Sequence, residues 1–151
     1  MNFYDSMEKR DYEKFIDFSE KTNLFESSTA TTRGASHDVS ATTRDNRIVI
    51  CELKSRFVNI DTYNDIFIEP IKVNELIGFI DKGIQSLYIN FFDDGKVAIW
   101  NFKKPLNMKY YPKVRVRDYG DNKMKEVPRF SLLKEEAIIY KKTENGYERD
   151  K

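Results

Sequence analysis

The segment Ile48-Val49-Ile50-Cys51-Glu52-Leu53-Lys54 constrains the fold more than any other stretch of this chain. In a strand, alternate side chains point to opposite faces. Val49, Cys51 and Leu53 then share one face, and Ile48, Ile50, Glu52 and Lys54 share the other. A strand that is apolar on both faces must be covered on both. The chain therefore needs a central sheet with packing layers above and below. The same period sets Glu52 beside Lys54 at the end of the strand. Asp38 lies upstream, across a turn-bearing segment. An aspartate, a glutamate and a lysine converging there can hold a divalent cation and prepare a water for attack.

The rest of the chain supplies the layers. Asp5 or Ser6 is a candidate cap for a helix running to about Thr22, with Tyr12, Phe15, Ile16 and Ser19 on one side. Leu24 to Thr32 is rich in small and β-branched residues and reads as a strand. Gly34-Ala35 turns the chain, and His37 to Arg44 reads as a second strand. Asp45-Asn46 is a hairpin turn into the third strand, Arg47 to Lys54. Ser55 to Glu69 reads as a longer connection. Pro70 suits the first turn of a second helix. Val73, Leu76, Ile77 and Ile80 follow its buried spacing, and Gly83 ends it. Gln85 to Phe92 and Lys96 to Phe102 form a hairpin about Asp93-Asp94-Gly95. Val114 to Asp118 and roughly Phe130 to Tyr140 are further strand candidates, and the polar tail after Thr143 is expected to fray.

The 151 residues suit one domain, 1–151, with a core at about 6–102 and a basic, aromatic-rich C-terminal extension at about 103–151. Residues 1–102 carry 12 basic and 17 acidic side chains, whereas 103–151 carry 14 and 8, so the positive charge is concentrated late. Such asymmetry can mark a polyanion-facing surface or an ordinary solvated face. No apolar run approaches the ~20 residues of a membrane span. The N-terminus has no signal-peptide pattern. The lone Cys51 sits in an apolar run and reads as core packing. The expected location is cytoplasmic, with no membrane partner.

The order helix, three-strand meander, helix, strand, strand, carrying Asp38 and Glu52-Leu53-Lys54, resembles the PD-(D/E)XK nuclease superfamily. The resemblance implies an α/β (α+β) protein with a restriction-endonuclease-like core: a central mixed sheet flanked by helices, order α-β-β-β-α-β-β, plus C-terminal strands. It covers about Ser6 to Phe102. Asp38 matches the motif aspartate, with His37 where the family name has proline. Glu52-Leu53-Lys54 matches the E-x-K element. Two other acidic-x-Lys triplets, Asp94-Gly95-Lys96 and Asp121-Asn122-Lys123, fall in expected turns and lack a buried strand leading in.

The resemblance implies a metal-dependent nuclease, a DNA endonuclease or resolvase-like enzyme, using Mg²⁺ or Mn²⁺. Asp38 and Glu52 would be metal ligands, with the Cys51 or Leu53 carbonyl as a further oxygen, because hard cations prefer oxygen donors. Lys54 would assist the attacking water or the developing charge. Lys72 on the second helix matches a further polar position of the family. The first helix often adds a glutamate, for which Glu13 fits best, with Glu20 and Glu8 as rivals. His37 reads as a polar neighbour of the site.

Lys109 to Arg117 is a second feature. As a regular strand it would show Lys113, Arg115, Arg117 and Tyr111 on one face, suited to phosphates and bases or to a charged, aggregation-proof edge. The expected partner is nucleic acid, DNA before RNA, and two-strand cutting would go with a homodimer. A second reading stays open: a catalytically inactive nucleic-acid-binding or assembly protein of the same fold.

Overall fold

A computed structural model describes residues 3–31, 38–118 and 120–150. The chain opens with α1 (Phe3–Thr22), then β1 (Phe25–Ala30), β2 (Val39–Thr43) and β3 (Ile48–Arg56). A short β4 (Ile66–Ile68) precedes α2 (Pro70–Asp81). The hairpin β5 (Gln85–Phe92) and β6 (Lys96–Asn101) follows, then a long pair, β7 (Lys109–Asp118) and β8 (Lys123–Leu132). A 3-10 turn at Lys134–Glu136 leads to β9 (Ile138–Thr143) and β10 (Gly146–Arg149). His37 lies outside the described residues.

Seven strands form one sheet in the order β1-β2-β3-β5-β6-β9-β10, and three form a second in the order β4-β8-β7. In the large sheet β3 and β5 are parallel, with Glu52 beside Tyr88 and Lys54 beside Asn90. The other pairings are antiparallel. A parallel pair demands a crossover, and the segment through β4 and α2 provides it.

Both faces of the large sheet are covered, as the composition of β3 requires. Phe15 and Phe18 of α1 pack on Val49, Cys51, Leu53, Ile89 and Phe91. On the other side Val73 and Leu76 of α2 join Tyr88, Ala98, Trp100 and residues of the small sheet, among them Ile66, Ile68 and Leu132. The buried Ser86 hydroxyl donates to the Leu76 carbonyl at 2.8 Å and ties α2 to β5. Trp100 Nε1 reaches the Leu133 carbonyl at 2.9 Å. Ile48 is 62 % exposed, because it precedes the part of β3 that the helices cover.

Three expectations differ from the structure. The stretch from Phe130 to Tyr140 is not one strand, since β8 ends at Leu132 in the small sheet and β9 starts at Ile138 in the large one, beyond the 3-10 turn. The segment 55–69 is not a plain connection, since β4 lies inside it and pairs with β8. The tail is not frayed. Gly146, at φ 137°, starts β10 in a conformation open to glycine. Tyr147 then packs edge to face on Phe18, with ring centroids 5.0 Å apart. The C-terminal hairpin thus extends the large sheet and clasps α1. Among the described residues no helix is long and apolar enough to cross a membrane.

Candidate active site

The site arises where β2 leaves β3. Their pairing runs from Thr42↔Ile48 to Val39↔Cys51, yet β3 continues to Arg56 alongside β5. Glu52-Leu53-Lys54 therefore lies inside the strand and not at its end, beside an edge that β2 has vacated. Asp38 occupies that edge. Its backbone N–H donates to the Cys51 carbonyl at 3.1 Å. Its carboxylate Oδ2 accepts from the Leu53 N–H at 2.8 Å. A side chain thus replaces the missing strand at that amide.

Glu52 is 7 % exposed and points to the α2 side. Lys72 Nζ lies 3.3 Å from Glu52 Oε1 and 3.7 Å from Glu75 Oε2. Glu52 Oε2 is buried and has no hydrogen-bond partner among the described residues. Burial, followed by the nearby Asp38 charge, pushes the Glu52 carboxyl up to about 8, against the pull of Lys72. Burial alone would lower the Lys72 amine, but Glu52 and Glu75 outweigh it and hold it above the ordinary lysine value. An orphaned carboxylate oxygen beside a second carboxylate is expensive in a folded protein. It is the property that a cation would relieve.

Lys54 reaches solvent, but its ammonium is crowded. Burial and the neighbouring Arg56 hold it below the ordinary lysine value, opposed by Glu69 and Asp11, with Arg129 adding a further push down. Arg56 is fixed by neutral acceptors: Asn90 Oδ1 at 2.7 Å, Tyr88 Oη at 3.0 Å and the Phe67 carbonyl.

The α1 contribution differs from the expectation. Glu13, Glu8 and Glu20 are exposed. Glu13 lines a separate cleft with Arg10, Asp17 and Lys142. Asp11 is the α1 carboxylate that meets the site. It accepts from the Ser55 hydroxyl, which also receives a hydrogen bond from Lys14 Nζ at 3.1 Å. Burial raises its carboxyl and the Asp38 charge adds to this, opposed chiefly by the Ser55 bond. The signal was in the helix period: Asp11 stands four before Phe15 and seven before Phe18, on the buried face, whereas Glu13 is over half a turn away.

The basic segment also differs. The β7–β8 register shifts between Tyr111 and Val114. That bulge at Pro112-Lys113 changes the parity. Tyr111 stands opposite Arg129, while Arg115 and Arg117 stand opposite Glu126 and Met124 on the other face. Arg117 Nη1 is held by Asn122 Oδ1 at 2.9 Å.

Among the described residues no group of three or more His, Cys, Asp or Glu side chains could hold a metal ion. Asp38 and Glu52 make two, and Mg²⁺ commonly takes one or two carboxylates with water and substrate oxygens. With the orphaned Glu52 Oε2, the donor set fits such an ion. The Cys51 thiol is buried and pushed far above its usual range by that burial, with Asp38 adding to the effect, so it is not a ligand of this kind.

The fold has a solved counterpart. The Holliday junction resolvase Hjc of Archaeoglobus fulgidus, an archaeal hyperthermophile, superposes with a TM-score of 0.51 at 10 % identity, over 83 % of this chain and 82 % of the resolvase. The chain has the resolvase's fold. The architecture is α+β and restriction-endonuclease-like, with a mixed central sheet between helices, as the order of elements predicts. At this identity the likeness to Hjc is one of fold. No family model matches the sequence, and no curated protein matches it.

Proposed function

We propose that this chain is a metal-dependent nuclease that hydrolyses phosphodiester bonds in DNA, in the manner of an endonuclease or a resolvase. The observation that carries the reading is Glu52. A buried carboxylate, with one oxygen held by Lys72 and the other without a partner among the described residues, stands within the field of Asp38 and two residues from Lys54. Such an arrangement costs stability and gains nothing structural. The fold shared with a Holliday junction resolvase agrees with it.

Asp38 and Glu52 would hold Mg²⁺ or Mn²⁺. A hard divalent ion there supplies Lewis acidity and neutralises phosphate charge. Lys72 holds Glu52 Oε1 at 3.3 Å and leaves Oε2 for the cation. The Leu53 N–H fixes Asp38 in the same way. Lys54, with its amine held below the ordinary value, orients the attacking water or donates to the phosphate oxygen as charge develops. Asp11, held by Ser55, adds a carboxylate on the α1 side that can accept a proton from water.

The test is cleavage of branched and linear DNA with and without Mg²⁺ or Mn²⁺, alongside calorimetric metal titration. Metal-dependent cleavage that disappears in Asp38→Asn, Glu52→Gln and Lys54→Ala supports the proposal. Full activity in all three variants refutes it. Salt-sensitive DNA binding with no metal uptake and no cleavage would instead assign a non-enzymatic binding role.

A further inference from the structure

The small sheet is the part of the molecule to which the proposed chemistry gives no task. One of its faces sends Ile66, Ile68 and Leu132 into the core. Register sets Phe67, Tyr111 and Arg129 on the other, because Phe67 pairs with Ser131 and Tyr111 with Arg129. Phe67 and Tyr111 meet edge to face, their centroids 5.9 Å apart. Lys109, two residues before Tyr111 and on the same face, lays its ammonium over the Tyr111 ring at 5.0 Å. Two cations therefore flank one anchored ring.

This face begins beside the candidate site. The Phe67 carbonyl receives the Arg56 guanidinium. Arg129 lies within electrostatic reach of Lys54. Arg129 donates to the Pro128 carbonyl at 2.8 Å and forms no salt bridge among the described residues. At the far end of the ribbon the situation reverses: Lys125 is taken by Asp118 at 2.6 Å and by Asp121 at 3.0 Å. Residues 109–132 hold seven cations against three carboxylates, and both carboxylates that engage Lys125 sit at the tip. Lys109 and Arg129, at the root, have no salt bridge among the described residues, and Arg129 is the one within electrostatic reach of Lys54.

We infer that Lys109 and Arg129 grip the nucleic-acid phosphate neighbouring the one presented to Lys54, with Tyr111 as a positioning residue. The inference rests on the nuclease reading for the identity of the site, and it names the route by which substrate enters. The planar guanidinium suits a phosphate by a two-point contact. The Tyr111 ring keeps the flexible Lys109 stem aligned through a cation–π contact.

The experiment measures fluorescence anisotropy of a labelled duplex oligonucleotide and its single strand in EDTA. The full chain carries Glu52→Gln, so that binding is read without turnover. Arg129→Ala is expected to weaken binding about tenfold and to reduce the slope of log affinity against log salt by about one. Lys109→Ala should cost several-fold, and Arg129→Lys should recover part of the loss. Lys141→Ala, an exposed cation on β9, serves as the control for general charge and should stay within twofold. Melting curves confirm that each variant is folded. In the cleaving protein, Arg129→Ala should raise KM more than it lowers kcat. Unchanged affinity and slope in both Arg129→Ala and Lys109→Ala overturn the inference, as does an equal loss in Lys141→Ala. Failure of the chain to bind either DNA also overturns it. Binding without metal-dependent cleavage removes the nuclease reading and leaves this phosphate contact standing.

Discussion

Replacing Glu52 with glutamine should make the protein more stable in alkali and should remove the pH dependence that this one carboxyl supplies. The Glu52 side chain is 10 % exposed, and its carboxyl is raised from an ordinary 4.5 to about 8, by burial first and Asp38 second. Each tenfold change in proton affinity is worth about 1.4 kcal/mol, so the full shift corresponds to roughly 5 kcal/mol as a ceiling. Relaxation and water entry at a buried site reduce this, and about 2–4 kcal/mol is the working expectation. The sign follows from proton counting. Between pH 4.5 and about 8 the folded protein holds a proton on Glu52 that the unfolded chain releases. Stability therefore falls as pH rises through that window and is flat beyond it. Glutamine cannot ionise, so the part of the fall that Glu52 supplies should vanish. Urea unfolding at intervals from pH 4 to pH 9 measures this. The two proteins should agree within about 1 kcal/mol at pH 4, and the variant should lead by about 2–4 kcal/mol at pH 9. Added Mn²⁺ at pH 8 should recover part of the lost stability in the parent and none in the variant. Parallel curves for the two proteins across the whole range would refute the reasoning, because Glu52 would then be charged in the folded state at no cost.

Asp38→Asn keeps an acceptor for the Leu53 N–H, so it should melt close to the parent temperature, yet metal-dependent cleavage should drop by about 10²–10³-fold in a turnover assay. Arg56→Ala strips donors from Asn90 Oδ1, Tyr88 Oη and the Phe67 carbonyl; urea unfolding should show a loss of about 2–4 kcal/mol, the sum of buried acceptors left unmet. Phe18→Ala removes the ring that meets Phe91, Tyr140 and Tyr147. It should cost about 3–5 kcal/mol, and hydrogen exchange should rise selectively in β9 and β10.

How much of this was legible depended on whether the determining contact was local. The turns were, because they rest on residues that accept a left-handed backbone: Asn46 at φ 65°, Gly83 at φ 80° and Gly95 at φ 80°. The two-sided burial of β3 was also legible, since its apolar residues fill both parities. β4 was not. Its three residues are defined by a distant pairing with β8, and nothing nearby in the sequence signals it. β10 was hidden by its polar composition, Gly-Tyr-Glu-Arg, because its pairing with β9 is backed by the contact of Tyr147 with the distant Phe18. The displaced face of Tyr111 could have been read from Pro112, which cannot donate within a ladder and is tolerated at a bulge. At the site, Asp38, Glu52 and Lys72 were named by pattern, and the structure brings them together. Chain distance from Asp38 favours Glu13, whereas the helical face selects Asp11, four residues before Phe15.

The hydrogen bond between the Leu53 amide and the Asp38 carboxylate makes one backbone proton a reporter. Any event that draws electron density from Asp38, whether cation uptake or protonation, weakens that acceptor. The Leu53 amide resonance should then move upfield while the amides of β5 and β6, held by neighbouring strands, stay in place. The vacated edge of β3 thus carries its own spectroscopic indicator. Site occupancy can be followed in solution by one peak, without substrate and without turnover.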